Sequence, residues 1–475
     1  MKKWLLNSTK TLILVIIIFA IYIGINILLE NVILPELDLT SEKIYSISDE
    51  TKEKVQNIEK EVKIQFINFG SYEDIINFAE KYKALNKNIE IERIDDLASR
   101  TDLMQKYSLE ATDSLIIVSS GELEKTLQIY DLYTYDYSTY EKIDTTEEAI
   151  TNAIVNVVTE DKPNIYFMTN HIAYDVEYYS TILSSLENEA NEVNTLDIFS
   201  NGGIPENCDT LVITTLKEDI TELERDKILE YIENGGNLLL MCGPNFKKVD
   251  LSNFQKILDQ YGITISQGVM FEQSTANMLS SYPDIIISEV QSTGINDKLN
   301  MSLKLCLVDT AKITFNEEKL QELGVNYETI ATTTDSAYER TDLTSNSISK
   351  TSNDGENETA IVAASITKTI DEEQNKISKL VVYGNEMLAM DMPIPIGEYT
   401  YNTVLLYNNK DMVLNSIAYL NERDDTIVIR KNYDSDIYTV TQQQHNIILA
   451  IIFAIPVIII ILGIIVWQIR RRKNK

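Results

Sequence analysis

The sequence predicts an α/β fold, with two α/β domains set between an N-terminal and a C-terminal apolar helix. Three observations carry this. Thr11–Leu29 and Ile447–Ile469 are long apolar runs, all 73 acidic residues fall between them, and the acidic middle alternates strand-like with helix-like apolar patterns, the order that builds a sheet flanked by helices. The expected organisation is a basic tail over 1–10, a transmembrane helix over 11–29, a small domain over 30–160, a larger domain over 161–440 with a polar loop at 332–359, a second transmembrane helix over 447–469 and a basic tail over 470–475.

Thr11–Leu29 reads TLILVIIIFAIYIGINILL, which spans about 28 Å as a helix and so matches a bilayer core. A cleaved signal peptide is the alternative, but residues 30–38 offer no small-residue cleavage site, so an uncleaved anchor is expected. Ile447–Ile469 tolerates one Pro456 and ends in Trp467 before Arg470, Arg471, Arg472 and Lys473, an interfacial aromatic followed by a basic stop. With basic flanks at both ends of the chain, both termini are expected in the cytoplasm and residues 30–446 outside the cell membrane. Asn26, an amide within the first run, would seek a partner helix or the interface.

In the outer body, Ser48 is read as the N-cap of a helix to about Ile58, Glu61–Asn68 as a strand, Glu73–Leu85 as a helix and Ile89–Ile94 as a strand. Ser114–Ser119 and Thr126–Tyr130 follow as strands, and Thr146–Thr159 as a helix broken at Lys162-Pro163. This set resembles a small thioredoxin-like domain without the redox motif, since no cysteine precedes Cys208. After it come a strand Asn164–Met168, a helix Tyr178–Ala190, strands Val193–Ile198 and Thr210–Thr214, and a helix opened by a Thr221/Glu224 capping box and closed by Gly235-Gly236. Then come a strand Asn237–Cys242, a helix Phe254–Tyr261 and a strand Ile263–Ile265. Strands Ala360–Ile366 and Lys379–Tyr383 and a helix Lys410–Leu420 end the pattern. A mostly parallel sheet with helices on both faces is expected.

Of 41 basic residues, 33 lie in the middle against all 73 acidic ones, a net charge of about −40 there. Such a surface excludes nucleic-acid binding, which needs cations to replace counterions. Cys208, Cys242 and Cys306 are too few and too widely spaced for a disulfide scaffold or a C-x-x-C pair, and read as buried apolar fillers.

No phosphate loop occurs, so any ATP is hydrolysed by a partner. A Cys–His hydrolase built on Cys242 and His171 is conceivable, but the nucleophile elbow is absent around LLLMCGPN and a buried strand-end cysteine is the expectation. Asp95-Asp96, Glu147-Glu148 and Asp424-Asp425 read as solvated turns and helix starts. Asn353–Glu358 (NDGENE) lacks the ligand spacing of a calcium loop. Tyr130, Tyr133, Tyr135, Tyr137 and Tyr140 cluster with Asp131 and Asp136, a candidate aromatic platform for sugar or peptide, weighed against ordinary strand tyrosines. No catalytic, cofactor-binding or metal-ligating residue is assigned.

The order of these segments resembles the GldG-like auxiliary components of ABC transport systems, first described with bacterial gliding motility. Asp38–Ser48 (DLTSEKIYSIS) is similar to their juxtamembrane signature, and Glu148 through Ile154 to their E-x-x-[LI]-x-x-A-I helix. Lys162–His171 (KPNIYFMTNH) resembles the opening of their second domain, with Asn170 where Gly is usual. Asp209–Pro244 resembles their core, with Cys242-Gly243-Pro244 where Asp-Pro is common. Ser378–Gly384 and Asn409–Leu420 resemble a late strand and helix. The resemblance implies a flavodoxin-like or glutamine-amidotransferase-like second domain without catalytic residues or cofactors. It also implies an ABC ATPase and an ABC-2-type permease as partners in the membrane. A stand-alone protein sensing wall sugar or peptide is the alternative, and an enzyme acting on envelope material ranks third.

Overall fold

The computed structural model describes residues 47–135, 142–296, 303–344, 347–396 and 399–423, together with residue 472. The described residues from 47 to 423 belong to one compact unit. Both apolar runs, Asn26, Tyr137, Tyr140 and Asp424-Asp425 lie outside the described residues. Among the described residues no helix is long and apolar enough to cross a membrane.

The first part is a four-stranded sheet of order β2-β1-β3-β4. Its strands are β1 (Val62–Ile67), β2 (Ile89–Ile94), β3 (Leu115–Ser120) and β4 (Leu123–Leu127). β1 runs parallel to β2 and antiparallel to β3. Helix α1 (Asp49–Gln56) starts where Ser48 Oγ accepts from Thr51 N, and α2 (Glu73–Leu85) connects β1 to β2. α3 (Thr101–Tyr107), unassigned in the sequence reading, sets Leu103 against Ile67, Leu115 and Ile117. The opposite face packs Val62, Ile64, Phe66, Ile116 and Val118 against Ile76 and Ala79 of α2 and against Ile150, Ala153, Ile154 and Val157 of α4 (Thr146–Val158). Those α4 residues recur at helical spacing, which is why the sequence displays them as one stripe. The strand expected at Thr126–Tyr130 ends at Leu127, and a 3-10 turn over Ile129–Leu132 leads to the short pair β5 (Tyr133–Tyr135) and β6 (Lys142–Asp144).

The second part centres on a nine-stranded sheet of order β11-β16-β19-β20-β10-β9-β7-β8, with β17 also paired to β19. Five strands are mutually parallel: β7 (Asn164–Met168), β8 (Glu192–Leu196), β9 (Thr210–Thr214), β10 (Asn237–Met241) and, entering late, β20 (Lys376–Tyr383). The rest departs from the expected mostly parallel sheet. β11 (Ile263–Ile265), β16 (Ile313–Phe315), β17 (Val325–Thr332) and β19 (Ile361–Asp371) join antiparallel pairs. A short turn from Asp371 to Lys376 returns the chain beside itself, which only an antiparallel hairpin allows.

Both faces are covered. Ile165, Phe167, Leu239, Met241, Val381 and Tyr383 face α5 (Ser180–Asn188) and α10 (Asn409–Leu420), while Met168, Leu238, Leu240, Leu380 and Val382 face the other way. That opposite core is closed by α6 (Ile198–Asn201), α7 (Glu222–Glu233), α8 (Ser252–Leu258) and Leu320 of α9 (Glu317–Leu323). Alternate residues of one strand thus enter separate cores, the period-two consequence of a pleated strand buried on both sides. Smaller sheets flank this one: β12 (Val269–Phe271) with β18 (Tyr338–Arg340), β13 (Met278–Leu279) with β14 (Tyr282–Glu289) and β15 (Lys304–Val308), and β21 (Pro393–Ile396) with β22 (Tyr399–Asn402).

The stretch 332–359, expected as an exposed or partly disordered loop, is built instead around a buried ion pair. Arg340, 1% exposed, donates from Nε and Nη2 to both oxygens of Asp354 at 2.9 Å, and its guanidinium lies 4.1 Å from the Phe271 ring centroid. Average polarity misled because one bidentate pair organises the surrounding polar residues. Asp354 is the first of the three acids of NDGENE, and its partner is Arg340.

Candidate functional site

The parallel strands reverse direction of travel across the sheet between β7 and β9, since β8 lies on one side of β7 and all later parallel strands on the other. At such a switch point the loops leaving the carboxyl ends diverge and open a crevice. Here the crevice is a cavity of about 370 Å3. Its wall comes from Ala173 and Tyr174 after β7, Thr215–Lys217 after β9, Gly243–Lys247 and Val249 after β10, and Glu386 and Met387 after β20, with Asp309 from the turn after β15. The first two loops are zipped together, Ala173 N donating to Thr215 O at 2.7 Å and Lys217 N to His171 O at 2.8 Å. Gly243 N donates to Thr215 Oγ1 at 2.7 Å, which ties in the third.

Two carboxyl groups dominate the chemistry. Glu386, 7% exposed, accepts from Tyr179 OH at 3.2 Å and Thr215 N at 3.3 Å, both on Oε2. Burial pushes its carboxyl up to about 7, against those bonds, which favour the ionised form. Asp309 sits in the left-handed region, φ 52°, where its amide donates to Asp284 O at 2.9 Å. Burial, with the Asp284 charge second, pushes its carboxyl up to about 6. Their shared field, after burial, raises the Tyr174 hydroxyl as well. Groups that titrate near neutrality in a cleft can accept a cation or exchange a proton there.

The positions of Glu386 and Asp309 depend on close backbone packing. Ala311 N donates to Gly384 O at 2.6 Å and Thr310 Oγ1 to the same oxygen at 3.0 Å. A Cβ on Gly384 would lie 2.1 Å from Ala311 O, so only glycine allows β20 to end against this turn.

Of the residues singled out in the sequence, His171 lies in the loop after β7 but outside the cavity wall. Its Nε2 is 3.0 Å from Glu224 Oε2, and its Nδ1 is 3.4 Å from Glu218 Oε1. Glu224, fully buried, also receives Asn170 Nδ2, Thr221 N and Thr221 Oγ1. Burial pushes the Glu224 carboxyl up, but Thr221, the His171 charge and Asn170 together hold it below the ordinary range. The capping box read from the sequence thus doubles as the imidazole's partner. Cys242 is buried at the end of β10, its Sγ 3.9 Å from Ile213 O, and burial raises its thiol strongly. Cys208 and Cys306 are also buried and free, both pushed up to about 12 by burial. The structure therefore gives His171 carboxylate partners and Cys242 an apolar setting. Of the tyrosine group, Tyr130 is exposed in the 3-10 turn and Tyr133 has the Lys142 ammonium 3.9 Å from its ring centroid.

Sequence reasoning missed Glu386 and Asp309. The available signal was position: each is an acid one to three residues past an apolar strand, VVYGNE and LCLVD. In a chain with 73 acids that signal is swamped. Among the described residues no group of three or more His, Cys, Asp or Glu could hold a metal ion.

Comparison with known proteins gives one strong match. The family model described as "ABC-type uncharacterized transport system", an ABC-transport auxiliary family, matches residues 162–416. No curated protein sequence matches the chain. Similar solved structures include the mmIFT52 N-terminal domain, at 13% identity, TM-score 0.39, covering 54% of this chain and 97% of that one. A putative ThuA-like protein from Parabacteroides merdae follows at 9% identity and TM-score 0.31, covering 55% and 91%. A beta-galactosidase from a Rahnella species stands at 10% identity and TM-score 0.25, covering 58% and 34%.

Proposed function

The chain belongs to the family of auxiliary components of ABC-type transport systems, and from that premise we propose that it is a non-catalytic, membrane-anchored subunit working beside an ABC ATPase and an ABC-2-type permease. The observation that carries the proposal is the family match over residues 162–416, which spans the whole nine-stranded sheet. In this reading the chain is a GldG-like member of that family, and residues 11–29 and 447–469 anchor it with both termini cytoplasmic. Residues 30–446 face outward as two domains, the first thioredoxin-like without a redox pair, the second flavodoxin-like or amidotransferase-like without its chemistry. The parallel order β8-β7-β9-β10-β20 supports the second assignment, being the 2-1-3-4-5 order of that class. A non-catalytic role is supported by Cys242, whose raised thiol and burial oppose thiolate formation. It is supported too by His171, engaged by Glu224.

The outer body engages the transported substrate or an envelope partner. Affinity purification of the tagged chain from mild-detergent membranes tests this. Recovery of an ATPase and a multi-span permease in constant ratio is the expected result. Recovery of the chain alone from several detergents and after cross-linking would refute it.

A further inference from the structure

Two buried polar atoms on neighbouring residues have no hydrogen-bond partner among the described residues: Asn170 Oδ1 and His171 Nδ1. Buried polar atoms are ordinarily paired, so two adjacent orphans point to something that binds them. Both side chains grip one carboxylate by their other ends. Asn170 Nδ2 donates to Glu224 Oε1, and His171 Nε2 lies 3.0 Å from Glu224 Oε2. Glu224 is fully buried and is itself fixed by Thr221 N and Thr221 Oγ1. A carboxylate so placed takes the Nε2–H of a neutral imidazole, which leaves Nδ1 a bare lone pair on the far side of the ring. Asn170 Oδ1 is likewise the end of its amide turned away from Glu224.

The backbone brings a second carboxylate to that lone pair. Lys217 N donates to His171 O at 2.8 Å, Ala173 N to Thr215 O at 2.7 Å, and Ile172 bridges Leu216 in antiparallel sense. His171 itself takes φ 63°, a left-handed conformation that costs energy in any residue with a side chain and persists where the surroundings impose it. This short zip sets Glu218 beside the imidazole, its Oε1 3.4 Å from Nδ1. The separation is long for an N–H···O bond, which spans about 2.7–3.2 Å, and no hydrogen bond joins the two atoms. It is the right separation for two ligands of one metal ion. Bonds of about 2.0–2.1 Å at a tetrahedral angle place neighbouring ligand atoms about 3.3–3.4 Å apart. A metal-bound imidazole also ordinarily donates its other ring N–H to a carboxylate, the place Glu224 fills here.

We propose that His171 Nδ1 and Glu218 Oε1 ligate a divalent metal ion of the zinc class, zinc, cobalt or nickel, with Asn170 Oδ1 as third ligand and water completing the shell. Among the described residues no group of three His, Cys, Asp or Glu side chains exists to hold a metal, so an amide oxygen takes the third place. Asp197, the other acid whose charge acts on His171, has its two oxygens engaged by Ser200 N and Ser200 Oγ. An imidazole among oxygen ligands suits borderline metals, whereas calcium and magnesium favour oxygen alone. Glu218, with a side chain 63% exposed, gives the ion a way in. The bound metal joins the loop after β7 to the loop after β9. Ala173, Tyr174 and Thr215–Lys217 of those loops wall the cavity, so the ion stiffens one side of its mouth. The site stands on the geometry of these loops and does not depend on the transport reading.

The test uses the full chain in mild detergent, stripped with EDTA and dialysed, with cobalt(II) chloride and zinc chloride as probes. Cobalt binds one ion per chain with a visible ligand-field band, zinc displaces it, and zinc raises the thermal midpoint where calcium and magnesium chloride do not. His171→Gln abolishes the band and the zinc shift, while His445→Gln, at the second histidine of the chain, keeps both. Glu218→Gln and Asn170→Ala each weaken cobalt binding at least about tenfold. Glu224→Gln, which keeps an oxygen for Thr221, weakens it about 10–100-fold, as loss of the carboxylate behind a metal-bound imidazole does. Far-UV circular dichroism checks the fold of each variant. Should His171→Gln fail to fold, the exposed Glu218 decides, and unchanged affinity in Glu218→Gln overturns the proposal. So do an equal zinc shift in a folded His171→Gln chain, equal stabilisation by calcium or magnesium, or no cobalt binding at about 1 mM, a concentration that still detects weak sites.

Discussion

Replacing Glu386 by glutamine should stabilise the protein at pH 8 and leave it nearly unchanged at pH 5. The folded carboxyl titrates at about 7 against an ordinary 4.5, so folding favours its protonated form. Its favourable contribution is complete below about pH 4.5 and is lost as pH rises through about 7. At about 1.36 kcal/mol per pH unit of displacement, the loss is about 3 kcal/mol by pH 8. Glutamine keeps an oxygen for Tyr179 OH and Thr215 N, which already meet a single atom, and carries no charge to desolvate. Asp309 titrates in both proteins, so its own pH dependence cancels in the difference. Urea denaturation of full-length wild type and Glu386→Gln in mild detergent, followed by far-UV circular dichroism at pH 5, 6, 7 and 8, measures it. A wild-type minus variant difference that stays constant from pH 5 to 8 would refute the reasoning.

Three further outcomes follow from named contacts. Asp354→Asn leaves the buried Arg340 guanidinium without its counter-charge and should cost about 3–5 kcal/mol in urea denaturation, whereas Arg340→Met with Asp354→Leu costs much less. Since Asp354 is held down at about 2, mainly by Arg340, its contribution is present above about pH 3.8 and is lost as pH falls through about 2. Gly384→Ala should cost about 1–3 kcal/mol or more through the clash with Ala311 O, while Gly70→Ala, with nothing within 4 Å, should stay within about 0.5 kcal/mol; thermal denaturation distinguishes them. Iodoacetamide at pH 8 should leave Cys208, Cys242 and Cys306 unmodified in the native chain and label all three in urea, as read by mass spectrometry.

Elements whose apolar spacing is plain within their own residues were legible in the sequence. The helix Glu73–Leu85 and the strands Ile89–Ile94, Asn164–Met168, Thr210–Thr214 and Ile263–Ile265 match their predicted bounds. The Thr221/Glu224 box caps α7 as read, with Glu224 N donating to Thr221 Oγ1. Residues 266–331 gave no assignable pattern, and there the structure places β12 to β16, α9 and part of β17. These short strands take their stability from partners far along the chain, as β14 does from β15 and β12 from β18. Periodicity within a window of residues cannot register such pairing.

The sequence by itself determined the α/β class, the apolar stripes of α2, α4 and α7, the family, and the burial expected of the three cysteines. These depend on which residues recur at helical or strand spacing, and on their order. Only the tertiary structure decided where the chemistry sits. Glu386 and Asp309 are 77 positions apart, brought to one cavity by the late entry of β20 beside β10 and by the Gly384–Ala311 contact. Their acidity follows from burial and from neighbours such as Asp284 and Tyr179. Carboxylates abundant in composition become distinctive only when folding removes water from a few of them.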